Sequence, residues 1–223
     1  MRKTFNLIIA IALISLLCAC NSNPFENVGN SLVDSDAKVS QSAQEDEGQE
    51  SSTPEQTGDF EKGKCDGTVY ESKFLGLGCD FGEGWAFFSD ENIAELNGSS
   101  QNAIYDMIAL GPNGTQNANV MLEKKSKEEI ENLNLVKNFM QASEEVKASA
   151  EEMGATDWKY EIVSVEIDDE VYDAAQYSFN LNGSPICQTI LAKKCSDYLV
   201  TVTVSADSKE NAQKILDRFY IVK

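Results

Sequence analysis

Four strand-like segments lie between Tyr160 and Ser205: Tyr160 to Ile167, Val171 to Leu181, Ile186 to Lys193 and Tyr198 to Ser205. Their breaks, Asp168-Asp169-Glu170, Asn182-Gly183 and Lys194-Cys195-Ser196-Asp197, are each short enough for a hairpin. A four-stranded antiparallel meander follows. Because side chains alternate across a strand, Val171, Ala175, Tyr177, Phe179 and Leu181 fall on one face of the second segment, interrupted by Asp173. A sheet with such a face needs something packed on it.

Helical patterns on either side of the meander supply that cover. Ser126 with Glu129 three places on makes a capping box. Ile130, Leu133, Val136, Met140, Val146, Ala150 and Met153 then recur at helical spacing, predicting one long helix that stops at Gly154. After the meander, Asp207 with Glu210 caps a terminal helix whose Ala212, Ile215, Leu216 and Phe219 face inward. Upstream, Val69 to Phe74, Leu75 to Phe81 and Trp85 to Phe88 read as short strands, and Ser89-Asp90-Glu91-Asn92 opens a short helix ended by Asn97-Gly98. Tyr105 to Leu110 and Asn119 to Glu123 form a hairpin across Pro112-Asn113-Gly114. The sum is an α+β fold, an antiparallel sheet flanked by helices in an α/β/α sandwich, over residues 64–223.

This order of elements resembles the PsbP-like fold, particularly the lipobox-bearing surface proteins of that class. The resemblance rests on Val69-Tyr70, Gly76-Leu77-Gly78 leading to Gly84-Trp85-Ala86-Phe87, and Ser89-Asp90-Glu91-Asn92-Ile93-Ala94-Glu95-Leu96. It continues through Asn119-Val120, the long helix, and Lys193-Lys194 with Tyr198-Leu199-Val200-Thr201-Val202-Thr203. It spans roughly residues 67–220 by element order and scattered residues. Cys195 departs from it, standing at a turn where a glycine is expected. The resemblance implies a scaffold or partner-binding protein and no catalytic constellation.

The N-terminal segment points outside the cytoplasm. Arg2 and Lys3 precede an apolar run from Phe5 to Ala19, the charged and hydrophobic regions of a signal peptide over 1–19. The run is too short for a comfortable membrane span, which needs about 20 residues. Leu17-Cys18-Ala19-Cys20 resembles the lipobox of bacterial lipoproteins, and that resemblance makes Cys20 the lipid-attachment site. Two or more acyl chains anchor stably where one does not, so the expected location is the extracytoplasmic face of a bacterial membrane. Residues 20–63 form the lipidated N-terminus and an acidic linker. Residues 21–63 carry ten acids against Lys38 and Lys62, a charge of −8, with no apolar periodicity. Such a segment cannot offset its ordering entropy and reads as a tether spanning roughly 35–40 Å as a coil.

The whole chain carries −19 and has no histidine. Ser-His-Asp and Cys-His relays, His-assisted zinc sites and imidazole switches are thereby excluded. The acidic balance disfavours nucleic acid. After cleavage and lipidation four cysteines remain, Cys65, Cys79, Cys187 and Cys195, compatible with two disulfides or with buried core thiols. Without CxxC knuckles they make a poor zinc site. Cys79 shares a face with Leu75, Leu77 and Phe81.

No cofactor, metal or catalytic residue is indicated. Asp168, Asp169, Glu170 and Asp173 are the densest carboxylate cluster, but they lack the spacing of a calcium loop and read as an acidic turn. Trp85, Trp158, Phe87, Phe88, Tyr105, Tyr160, Tyr177 and Phe179 read mostly as packing. The functional expectation is a non-enzymatic binding or accessory module with a protein, glycan or small-molecule partner. A carboxylate-based surface hydrolase and a cation- or solute-capturing accessory to a transporter are the alternatives.

Overall fold

The computed structural model describes residues 60–99 and 103–223. The expected signal peptide, Cys20 and the linker as far as residue 59 lie outside the described residues. In chain order the elements are β1 (Lys64–Asp66), β2 (Val69–Ser72), β3 (Leu77–Asp80), β4 (Ala86–Phe87), α1 (Asp90–Ser99), β5 (Ala103–Leu110) and β6 (Asn117–Lys124). There follow α2 (Lys127–Glu131), α3 (Leu135–Glu152), β7 (Thr156–Ile167), β8 (Glu170–Leu181), β9 (Ser184–Cys195), β10 (Tyr198–Ala206), α4 (Lys209–Leu216) and β11 (Phe219–Ile221).

The fold is α+β, with two antiparallel sheets where the sequence suggested one. The larger has the order β4-β5-β6-β10-β9-β8-β7 and the smaller β1-β2-β3-β11. The expected meander forms β7 to β10, with longer strands and shorter turns. Asn182 and Gly183 both take positive φ (52° and 82°), as a two-residue type I′ hairpin requires. β9 runs through Cys195, and the left-handed residue of the next turn is Ser196, at φ 52°. The departure expected at Cys195 therefore belongs to its neighbour.

One face of the large sheet packs on the small sheet and α4. Val200, Val202 and Val204 of β10 share that core with Tyr70, Leu77, Phe81, Ile215 and Leu216. The opposite face is covered at its two flanks. α3 seats Phe139, Ala142, Val146 and Ala150 on Ala175, Tyr177, Phe179 and Ile190, while Ile93 of α1 packs with Tyr105, Ile108 and Met121. Phe60, within the segment expected as linker, sets its ring 5.6 Å from that of Phe74 and 6.0 Å from that of Tyr198.

The expected single helix from Ser126 to Gly154 is two helices. Ser126 and Glu129 do form the capping box. Asn132 then turns its side-chain amide onto the Glu128 carbonyl at 2.9 Å, and Asn134 accepts from the Lys137 N–H at 2.9 Å to start α3 anew. Two asparagines that compete with the helical backbone in so short a space end one helix and cap the next. The break resets the phase of the apolar stripe, so Phe139 is buried and Met140 is 59% exposed.

The terminal helix also differs. Its cap is Ser208, which accepts from the Asn211 N–H, while Asp207 accepts from the Asn211 side chain. Phe219 lies beyond it in β11, paired with Cys79 of β3.

Candidate functional site

Five polar side chains lie in one row across five neighbouring strands on the helix-covered face: Asn117 of β6, Ser205 of β10, Gln188 of β9, Tyr177 of β8 and Tyr160 of β7. Each is registered directly opposite the next. Asn119, two residues beyond Asn117, heads the adjacent row beside Thr203 of β10 and Ile108 of β5. Tyr177 belongs to the apolar cluster under α3, and Tyr160 packs against that cluster.

The row is buried. Asn119 is 0% exposed, Gln188 2% and Tyr177 0%. Gln188 donates its side-chain amide to Ser205 Oγ at 3.0 Å. Among the described residues six buried side-chain polar atoms have no hydrogen-bond partner, and all six belong to this patch: Asn117 Oδ1, both Asn119 amide atoms, Gln188 Oε1 and the hydroxyls of Tyr160 and Tyr177. Exchanging the Asn119 oxygen and nitrogen alters nothing, since both are unpartnered. Burial pushes the pKa of the Tyr160 and Tyr177 hydroxyls up, so both stay neutral.

Magnitude decides what such a patch means. A buried polar group without a partner costs about 1–3 kcal/mol. Six together cost on the order of 6–18 kcal/mol, as much as the whole stability of a typical domain. The row must therefore be satisfied by something other than the chain itself, water or a bound molecule.

Tyr160 and Tyr177 stack with ring centroids 5.3 Å apart, and Trp158 lies 5.3 Å from Tyr177 and 5.4 Å from Phe179. These aromatics hold one end of the row rigid. The packing role expected for them stands beside a polar role at their hydroxyls. Trp85 stacks on Phe81 at 4.4 Å in the other core.

Two of the four acids of the expected acidic turn are engaged within the fold. Asp168 accepts from the Ile221 N–H at 2.7 Å, and Glu170 accepts from the Tyr172 hydroxyl. Among the described residues no cluster of three or more cysteine, aspartate and glutamate side chains is placed to hold a metal ion. A cleft of about 240 Å³ lies between Asp157, Lys159, Asn180, Asp207 and Lys209. There Asp157 accepts from Asn180 at 2.7 Å, and Lys209 pairs with Glu161.

All four cysteines of the domain are thiols. Cys65 and Cys79 both face Tyr70 across neighbouring strands. They stand two strand spacings apart, about 9.5 Å, beyond the roughly 7 Å that a disulfide spans. Cys187 and Cys195 sit eight residues apart on β9, some 27 Å along the strand. Cys195 donates to the Phe74 carbonyl at 3.3 Å.

One buried carboxylate stands in the other core. Asp106 is the extra residue of a bulge in β5, where the register shifts between Tyr105 and Met107. The bulge turns it toward the small sheet. There it accepts from the Tyr70 hydroxyl at 2.5 Å and the Gly63 N–H at 2.8 Å. Burial raises its pKa against the lowering pull of these bonds and of nearby Lys62.

Sequence reasoning overlooked Asn117, Asn119, Gln188 and Asp106. A signal was present in Thr201, Thr203 and Ser205 alternating with Val200, Val202 and Val204. A central strand covered on both sides yet polar on one of them is the mark of a wet interior face.

Among the described residues no helix is long and apolar enough to cross a membrane. No protein-family model matches the chain, and no curated protein matches it. Among solved structures, a protein from Bacteroides thetaiotaomicron aligns over 70% of this chain and 49% of its own, at 11% identity and a TM-score of 0.40. The chain thus spans about half the length of that protein. LpqN, involved in cell envelope biogenesis of Mycobacterium tuberculosis, aligns over 66% of this chain and 83% of its own, at 11% identity and a TM-score of 0.36.

Proposed function

We propose that the chain is a lipid-anchored extracytoplasmic binding module of PsbP-like type, held to the membrane through Cys20, with no catalytic chemistry of its own. The observation that carries this reading is the row of unpartnered, uncharged polar atoms on the helix-covered face. A site for chemistry needs a nucleophile, acid or base with a partner that activates it. This row offers amides and neutral hydroxyls, which recognise and do not react. The acidic tether sets the domain away from the lipid surface, where it meets its partner.

The test is to purify the full chain from native membranes, as wild type and as the Asn119→Leu/Gln188→Leu double variant, and to compare bound species by mass spectrometry. The wild type should retain a species that the double variant lacks. Identical bound material, or none in either, contradicts the reading. Labelling with radioactive palmitate, lost on Cys20→Ser, checks the anchor.

A further inference from the structure

We propose that the chain pairs with a second copy of itself along the free edge of β7, the two strands running antiparallel about a two-fold axis at Val163 and joining two seven-stranded sheets into one.

β7 is the last strand of the larger sheet, so one side of its backbone has no neighbouring strand. The ladder on its other side decides which groups face outward. The hairpin to β8 has a two-residue loop, Asp168-Asp169, closed by Ile167 opposite Glu170. Residues flanking such a loop exchange both hydrogen bonds, and bonded and non-bonded pairs then alternate. Ile167, Val165, Val163, Glu161 and Lys159 therefore bond to β8, while Tyr160, Ile162, Ser164 and Glu166 turn their N–H and C=O groups to the open edge. Counting back from Leu181 opposite Ser184, the loop-closing pair of the next hairpin, requires the same phase. No side chain seals that edge: Ile162 is 36% exposed, and Ser164 and Glu166 are exposed too.

The other sheet edges are short or occupied. β1 and β11 have three residues each and β4 has two. Asp168 holds the Ile221 N–H of β11, and where β4 stops Asn97 bonds both the N–H and the carbonyl of Tyr105. Edge strands are ordinarily blunted by proline, lysine, bulges or shortness. From Tyr160 to Ile167 β7 has no proline, glycine or lysine, and Ile162, Val163, Val165 and Ile167 are β-branched.

Symmetry selects a second copy as the occupant. The regular part of β7 runs from Lys159, after the bulge, to Ile167, before the turn. Its midpoint is Val163. An antiparallel copy centred there sets Tyr160 opposite Glu166 and Ile162 opposite Ser164, each pair occurring on both sides of the axis, so every outward residue finds a match. Centring on Ile162 carries Glu166 into the bulge, and centring on Ser164 carries Tyr160 into the turn. In the Val163 register Glu161 falls opposite Val165, and no two carboxylates face each other. A two-fold axis through such a pair stands normal to the sheet, which leaves both small sheets, and Phe60 packed beside each, on one side. Two chains tethered to one membrane need that placement; this point alone rests on the lipid-anchored reading above.

The test is sedimentation equilibrium of the full chain in detergent micelles, as wild type and as Ser164→Pro. One strand a side makes a small interface, so a dissociation constant of roughly 10–100 µM is expected for wild type, with no species beyond the dimer. Proline at an outward position removes an N–H that β8 does not use, so the variant should keep its circular dichroism and bind its copy at least tenfold more weakly. Val163→Cys supplies a second measurement. Directly opposed non-bonded residues have Cα atoms about 4.5 Å apart, within reach of a disulfide. Mild oxidation of native membranes should link Val163→Cys to itself, and Glu166→Cys, whose copies stand roughly 20 Å apart along the strands, should stay unlinked. The proposal is overturned if wild type remains monomeric at millimolar concentration, if a folded Ser164→Pro dimerises as wild type does, or if Val163→Cys links to itself no better than Glu166→Cys. Linkage of Val163→Cys to a different protein overturns it as well. Should Ser164→Pro unfold, the cysteine pair decides. Association in detergent does not depend on the anchor, which palmitate labelling judges separately.

Discussion

The Tyr70 hydroxyl donates to Asp106 Oδ2 at 2.5 Å, joining the centre of the small sheet to a bulge in the large one. The other carboxylate oxygen accepts from the Gly63 N–H, so a single side chain ties three segments far apart in sequence. Removing it as Asp106→Ala leaves a buried hydroxyl and a buried N–H unpaired, at about 1–3 kcal/mol each. Urea denaturation should show a loss of about 2–5 kcal/mol; a loss below about 1 kcal/mol would mean that water takes the carboxylate's place.

The same group gives stability a pH dependence of known sign. Burial holds the folded-state pKa of Asp106 above its ordinary value, against the opposing Tyr70 and Gly63 hydrogen bonds and Lys62. The folded state therefore holds this proton more tightly than the unfolded state. The resulting stabilisation is complete below about pH 4, the unfolded value, and is lost as pH rises through the folded value. Asp106→Asn should remove this component, so that the difference in stability between wild type and variant grows less favourable to wild type from pH 4 upward. Denaturation midpoints from pH 3.5 to 7 measure it, and a difference that moves the other way contradicts the assignment.

Cys65 is exposed yet should be unreactive. Desolvation by its surroundings, reinforced by Asp106 and Asp90 and opposed by Lys62, raises its pKa to about 11. At pH 7.5 such a thiol is ionised to about three parts in ten thousand, against about one in ten for an ordinary cysteine. Iodoacetamide should label Cys65 on the order of a hundredfold more slowly than a free thiol, as followed by peptide mass spectrometry. Labelling at the free-thiol rate would show that its surroundings do not desolvate the thiol.

The break between α2 and α3 predicts a contrast at adjacent positions. Phe139 is 2% exposed under α3 and Met140 is 59% exposed. Phe139→Ala should cost about 3–5 kcal/mol, and Met140→Ala should fall within about 0.5 kcal/mol of wild type. Asn134→Ala, which removes the α3 cap, should cost about 1 kcal/mol. Equal losses at 139 and 140 would restore the single-helix phase.

These contrasts also mark where the sequence could be read. The meander was legible because its turns carry their own chemistry, as in Asn182-Gly183, and turn chemistry is local. The helix break was not, because Asn132 and Asn134 are tolerable inside a helix on propensity alone and end it only when tertiary packing favours two phases. The small sheet was missed in part because β11 is three residues long and pairs with a strand some 140 positions earlier. No local pattern announces such a pairing. The polar row was hidden for a related reason: Asn117, Gln188 and Tyr160 are ordinary polar residues in their own strands, and only the register of five strands sets them in line.

That alignment sets the stability of the row against its use. A side chain kept for folding is one whose removal destabilises. A side chain kept for binding is carried at some cost to the unbound protein. Both amide atoms of Asn119 are buried with no partner within the chain, so the protein's own groups give the amide desolvation and no hydrogen bond. Leucine, of similar length and without polar atoms, removes that cost. Asn119→Leu is therefore expected to stabilise the unliganded chain by about 1–2 kcal/mol, a rise in Tm of roughly 2–8 °C for a domain of this size, while weakening ligand binding. Paired thermal scans without ligand measure the first effect and titration the second. A variant that loses more than about 1 kcal/mol would show that ordered water satisfies the amide in the folded protein, and the row would then be structural.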